Sequence, residues 1–146
     1  MFLLNFKQIE YLRFRTKIQL SFMKNILIIG AGKSSSALIK YLLEKSDEEK
    51  LKLTIGDIST KNALKLINNH KNAKAIVLDV FEQQQRESAI KKTDIVISML
   101  PARLHIEVAK DCITFKKNMV TASYVSKEMK ALDAAVQKNG LIFMNE

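Results

Sequence analysis

With 146 residues, 47% of them apolar and 27% charged, and with only four glycines and one proline, the chain has the make-up of one packed domain rather than a disordered or fibrous protein. Its single cysteine, Cys112, excludes an intramolecular disulfide and a multi-cysteine metal site, and fits a cytoplasmic setting. The net charge of +9 would admit nucleic acid or acidic ligands, but the lysines are scattered along predicted helices without interleaved aromatics; they read as a solvated surface, and nucleic acid is not an expected partner.

Residues 1–22 differ from the rest of the chain. Apolar residues such as Phe2, Leu3, Leu4, Phe6 and Ile9 mix with Lys7, Arg13, Arg15 and Lys17, opposed only by Glu10. The charges interrupt every apolar stretch, so no membrane span is expected, and no small-residue cleavage site marks a signal peptide. Met23 reads as the natural start. Residues 1–22 are then an extension outside the domain or a short amphipathic helix, with a membrane-lying helix as the functional alternative. Residues 23–146 form the domain.

From Met23 onward short apolar runs alternate with helical patterns. Ile26-Leu27-Ile28-Ile29 reads as a buried strand ending in glycine. Residues 34–45 read as a helix with Leu38, Tyr41 and Leu42 on one face. Leu51, Leu53 and Ile55 alternate in a second strand that closes at Gly56-Asp57, and a helix over 60–69 turns Leu64 and Ile67 inward. A third strand, 75–78, ends at Asp79, followed by a short polar-faced helix over 82–91. The fourth strand, 94–98, is stopped by Pro101. A helix over 103–115 sets Leu104, Val108 and Cys112 four apart. A short fifth strand at Met119-Val120 precedes a helix over 126–138 with Met129, Leu132 and Val136 on one face. Asn139-Gly140 ends that helix, the glycine suiting a left-handed exit, and 141–144 is a sixth strand. Continuous apolar strands alternating with amphipathic helices imply an α/β fold: a doubly wound parallel sheet of Rossmann type, strand order 3-2-1-4-5-6, with no second domain.

The first strand runs straight into Gly30-Ala31-Gly32-Lys33-Ser34-Ser35 and then a helix. Gly30 allows a tight turn, Gly32 leaves the backbone open to a pyrophosphate, and the helix start offers unpaired N–H groups and a positive dipole end. Ser35 stands where the fingerprint has its third glycine, a position for close helix–strand packing that a small serine can fill. Gly32-Lys33-Ser34 also looks like the end of a nucleoside-triphosphate loop, but that loop needs a glycine five positions before Gly32, where Leu27 stands. Asp57, 27 residues after Gly30, is placed to accept both ribose hydroxyls of an adenosine and to repel a 2′-phosphate, which favours NAD over NADP; Ser59, Thr60 and Lys61 leave room for a phosphate. A turn residue or helix cap is the plain alternative for Asp57. Asp79 closes the third strand near where an adenine would lie, or is a solvated turn. Met99-Leu100-Pro101 follows the fourth strand where the middle of the cofactor would pass, unless Pro101 only ends the strand. The cofactor-binding candidates are Gly30, Ala31, Gly32, Lys33, Ser34, Ser35, Asp57 and its neighbour Ile58, Asp79 and its neighbour Val80, and Met99, Leu100 and Pro101.

Three stretches together resemble the N-terminal cofactor domain of saccharopine dehydrogenase: Ile28-Ile29-Gly30-Ala31-Gly32; Val96-Ile97-Ser98-Met99-Leu100-Pro101 with His105; and Thr121-Ala122-Ser123-Tyr124-Val125-Ser126 running through Met129, Leu132-Asp133 and Gly140 to Met144-Asn145-Glu146. The last is the most specific, because a bare nucleotide fold does not require it. The resemblance implies an NAD(P)-linked oxidoreductase of lysine metabolism that moves hydride between the nicotinamide and a secondary amine or imine. It also implies that Ser123 and Tyr124 lie near the nicotinamide and substrate edge; from the residues alone they read as a turn residue and a half-buried aromatic. In the family Asn145-Glu146 leads into a substrate-binding domain, so the chain is expected to be a fragment that binds cofactor and turns over no substrate alone. Catalytic residues are not assignable. A carboxynorspermidine dehydrogenase-like cofactor domain and a non-catalytic nucleotide-sensing or partner-binding module are the alternatives. Apolar surface at the Met144 end favours self-association as a homodimer.

Other residues invite less. His105 is a proton donor or, more simply, a capping or packed histidine. His70 reads as solvated at a helix end, Cys112 as core rather than nucleophile, and Asp47-Glu48-Glu49 as a solvated acidic loop and not a metal site.

Overall fold

The computed structural model describes residues 23–145. The readings made for residues 1–22 and for Glu146 fall outside them. Six parallel strands lie in the order 3-2-1-4-5-6, the topology expected from the alternation of apolar runs and helices.

Strand β1, Lys24–Ile29, is central, and its alternate residues serve opposite faces of the sheet. Ile26 and Ile28 pack with Leu53 and Ile55 of β2 (Leu51–Asp57) beneath helices α1 (Ser36–Lys45) and α2 (Thr60–Ile67). Leu27 and Ile29 join Val96 of β4 (Ile95–Ser98) and Met119 of β5 (Asn118–Thr121) on the other face. There α3 (Gln83–Lys91) and α4 (His105–Thr114) cover them with Ile90, Val108, Ala109 and Cys112. Burial on both faces explains why the central strands read as unbroken apolar runs. The edge strands are β3 (Ala73–Val77) and β6 (Phe143–Met144).

The helices deviate from the sequence pattern in instructive ways. The first begins with a 3-10 turn, Lys33–Ser35, before α1, and its inward face is Ile39 and Leu43 with Leu42; Tyr41 is exposed and Leu38 only half-buried. In α2 the buried pair is Ala63 and Ile67, whereas Leu64 is exposed: the small alanine lets the helix approach the sheet, so the larger leucine beside it turns out. Another 3-10 turn, Ala102–Leu104, precedes α4. The helix expected over 126–138 is two, α5 (Lys127–Ala131) and α6 (Asp133–Lys138), joined at Leu132, whose N–H donates to Met129 three residues back. Met129 and Val136 stay buried across the break, so the inward face survives. Gly140 takes the left-handed exit, φ +64°. Strand limits differ from the expected ones by at most two residues at either end; β3 starts two residues earlier, next to Asn72, whose carbonyl accepts from Leu53 N–H.

Candidate functional site

The parallel register aligns the carboxyl ends of β1, β2, β4 and β5: Ile29 stands opposite Gly56 and Ser98, and Ser98 opposite Thr121. The segments after these strands therefore meet along one rim, at the point where strand order reverses between β1 and β4, which is where open α/β sheets bind ligands. Gly30, Asp57, Met99 and Ser123 all belong to it.

Gly30 has φ +105°, a conformation that disfavours any side chain, and a Cβ there would sit 3.0 Å from the Met99 carbonyl oxygen. This contact locks the turn after β1 to the segment after β4, helped by Met99 N–H donating to the Ile29 carbonyl at 2.8 Å. Gly32 is different: its backbone is extended and a Cβ would meet nothing within 4 Å. The space over Gly32 is open on the side where a ligand would approach. Ser35, fully buried, donates from Oγ to the Gly32 carbonyl at 2.9 Å, so the serine at the third fingerprint position ties the turn to the helix it starts.

The main-chain donors of the turn divide in two. Ala31 N–H donates to Asp57 Oδ2 at 2.6 Å. Among the described residues the amides of Gly32, Lys33 and Ser34 donate to no protein acceptor. They lie at the 3-10 turn Lys33–Ser35 that leads into the ten-residue α1, an end where the helix dipole favours an anion. Asp57 reaches across the rim to the glycine turn, and its Oδ1 accepts from Ser59 N–H at 3.2 Å. A carboxylate has roughly four acceptor positions, so each oxygen keeps capacity for a further donor. Ser59 itself caps α2 through its Oγ, with Lys61 N–H as donor.

Farther along, Asp79 accepts from Phe81 N–H at 2.9 Å, and its own N–H donates to Gln85 Oε1, so it shapes the turn after β3. Ile58 and Phe81 are exposed on either side of this end of the rim, and Val80 packs against the core beneath. The turn has a brace that no sequence pattern signals. Arg86 is buried, donating from Nη1 to the Val80 carbonyl and from Nε to the carboxylate of Asp111 on α4. An arginine inside a run of glutamines looks solvated, and nothing in the spacing to Asp111 marks the pair.

At the opposite end of the rim, Leu100 is half-buried against the core and Pro101 is exposed at the head of the 3-10 turn. His105 is 3% exposed and bonded at both ring nitrogens: Nδ1 lies 2.8 Å from Ser98 Oγ and Nε2 lies 2.9 Å from Ser123 Oγ. Burial lowers its pKa, so the ring stays neutral near pH 7. The histidine is thus packed between two hydroxyls rather than presented to the cleft. Ser123 N–H donates to Thr121 Oγ1 at 3.0 Å, which fixes the turn after β5. Tyr124 is exposed, not half-buried as its residue type alone suggested.

Elsewhere, His70 is half-buried and its Nδ1 accepts from Asn72 N–H at 3.2 Å, in place of the solvated role expected. Asp47 pairs with Lys71. Burial, reinforced by the Asp111 charge, pushes the Cys112 thiol up to about 12, so it is a core residue and no thiolate nucleophile. Among the described residues there is no cluster of three or more potential metal ligands, and no helix is long and apolar enough to cross a membrane. A cavity of about 530 Å³ opens between α3 and the β2–β3 edge, flanked by Lys52, Lys71, Lys74 and Lys92; none of the glycine-turn residues lines it.

Residues 26–144 match a family model described as the saccharopine dehydrogenase NADP binding domain. The mitochondrial alpha-aminoadipic semialdehyde synthase of Mus musculus is 35% identical over 146 residues, covering 97% of this chain and 15% of that protein. A saccharopine dehydrogenase [NADP(+), L-glutamate-forming] of Schizosaccharomyces pombe is 34% identical over 124 residues, covering 85% of this chain and 27% of that protein. The apo saccharopine dehydrogenase (L-Glu forming) structure from Saccharomyces cerevisiae superposes with a TM-score of 0.76 at 32% identity, covering 84% of this chain and 27% of that one. The chain therefore spans less than a third of the length of each of these relatives.

Proposed function

Since the chain belongs to the saccharopine dehydrogenase family through its NAD(P)-binding domain, we propose that it holds NAD(H) along the rim at the strand ends, for hydride transfer at a C–N bond in lysine metabolism. The observation that carries this reading is the glycine turn, with three consecutive amides lacking protein acceptors at a helix start and open space over Gly32.

The residues present fit a dinucleotide. The amides of Gly32, Lys33 and Ser34 would take the pyrophosphate, Asp57 would accept from the adenosine ribose hydroxyls, and the turn after β3 would flank the adenine with Ile58, Asp79 and Val80. Met99, Leu100 and Pro101 would run beside the middle of the cofactor, and Ser123 and Tyr124 would border its nicotinamide end. When bound, the nicotinamide supplies or receives the hydride. The part played by this chain is binding and orientation.

The preference for NAD(H) rests on Asp57. The family description and the name of the Schizosaccharomyces pombe relative carry NADP, but a carboxylate fixed beside Ala31 brings negative charge to where a 2′-phosphate would approach. Fluorescence titration with NADH and NADPH tests this. NADH should bind more tightly to the natural chain, and Asp57→Asn should weaken NADH while strengthening NADPH, each by roughly threefold to tenfold, within about 1.4 kcal/mol. Tighter NADPH binding by the natural chain would reject the NAD(H) assignment and leave the dinucleotide reading intact.

A further inference from the structure

We propose that His105 is a positioning residue that forces the Ser123 hydroxyl to donate its proton outward, to an oxygen acceptor at the nicotinamide end of the bound cofactor, its carboxamide carbonyl. The inference rests on the cofactor reading and goes beyond it by giving a role to a histidine that touches no ligand.

The reasoning is hydrogen-bond accounting. Ser98 is fully buried, at 0% exposure. Its hydroxyl proton needs an acceptor, because leaving a buried donor unpaired costs about 1–3 kcal/mol. Among the described residues its one side-chain partner is Nδ1 of His105, at 2.8 Å. Nδ1 must then accept, so the neutral ring carries its proton on Nε2. Nε2–H donates to Ser123 Oγ, 2.9 Å away. With its oxygen occupied as acceptor from the histidine, Ser123 has its own O–H left to give. Among the described residues no protein group accepts it, and Ser123 is half-buried, at the lip of the rim next to the β4 end. The chain Ser98 to His105 to Ser123 therefore has a single direction. It runs from a buried hydroxyl on β4 to a donor facing the ligand. The opposite tautomer would strand the Ser98 proton inside the core.

Two measurements test this. Long-range ¹H–¹⁵N correlation spectra of the folded chain, which has only two histidines, assign the His105 signals by their absence in His105→Gln. They should show the neutral Nε2–H tautomer; the Nδ1–H tautomer would overturn the proposal. Binding is then compared for NADH, by fluorescence, and for ADP-ribose, which lacks nicotinamide, by calorimetry. Ser123→Ala and His105→Leu should weaken NADH about tenfold, equal to about 1.4 kcal/mol, and leave ADP-ribose within roughly twofold. His105→Gln, whose amide can place a donor near the Nε2 position, should recover most of the NADH affinity. Unchanged NADH binding in Ser123→Ala, or equal losses for both ligands, would overturn the proposal while the cofactor reading stands. Binding of neither ligand by the natural chain would remove the cofactor reading and this inference with it.

Discussion

At the scale of single residues, Gly30 and Gly32 look alike in the sequence and do different work. Gly30 is required by the fold: its φ of +105° and the Met99 carbonyl 3.0 Å from where a Cβ would stand leave no room for a side chain. Gly32 is not required by the fold, because its extended backbone and open surroundings would accept any residue; the role proposed for it is to leave the backbone open to a ligand. Substituting them separates the two roles. Gly30→Ala should lower stability by about 1–3 kcal/mol in urea unfolding. Gly32→Val should leave stability within about 0.5 kcal/mol and cut NADH affinity by at least roughly tenfold. A Gly32→Val chain that binds as well as the natural one would show that the space above it is not the ligand's path. The glycine spacing made the turn readable, and strand β2 made Asp57 readable. The grip of Asp57 on the Ala31 amide was not, since a contact across 26 residues depends on how β1 and β2 align.

At the scale of elements, strands were read more surely than helix faces. A strand buried on both sides is a continuous apolar run wherever it sits, so β1 and β4 stand out from the surrounding sequence. A helix face depends on which residue comes nearest the sheet, and in α2 that is Ala63 rather than Leu64. The most consequential element contact left no trace in the sequence: Arg86 of α3 and Asp111 of α4, with side chains 6% and 12% exposed, brace the turn after β3 through the Val80 carbonyl. Removing one charge strands the other in the core, so Arg86→Ala should cost about 3–5 kcal/mol, and replacing both in Arg86→Met/Asp111→Leu should recover most of it. Urea denaturation of the three chains checks this; a single-variant loss below about 1 kcal/mol would mean the pair behaves as a surface ion pair. The His105 bridge is likewise an element contact, joining α4 to the ends of β4 and β5. Its ligand-facing direction comes from tautomer accounting and not from any motif.

At the scale of the whole molecule, the six-stranded order was legible because right-handed crossovers and two-sided burial leave few alternatives. The part matched to the Saccharomyces cerevisiae structure is 84% of this chain and 27% of that one, and dinucleotide binding is the property we propose for it. The central claim concerns the amides beyond β1, and amide ¹H–¹⁵N spectra recorded during an NADH titration test it most directly. Saturable shifts should be largest at Gly32, Lys33 and Ser34 and should extend to Asp57. Saturable shifts confined to the lysine-flanked cavity between α3 and β2–β3, or no saturable shift at all, would contradict it.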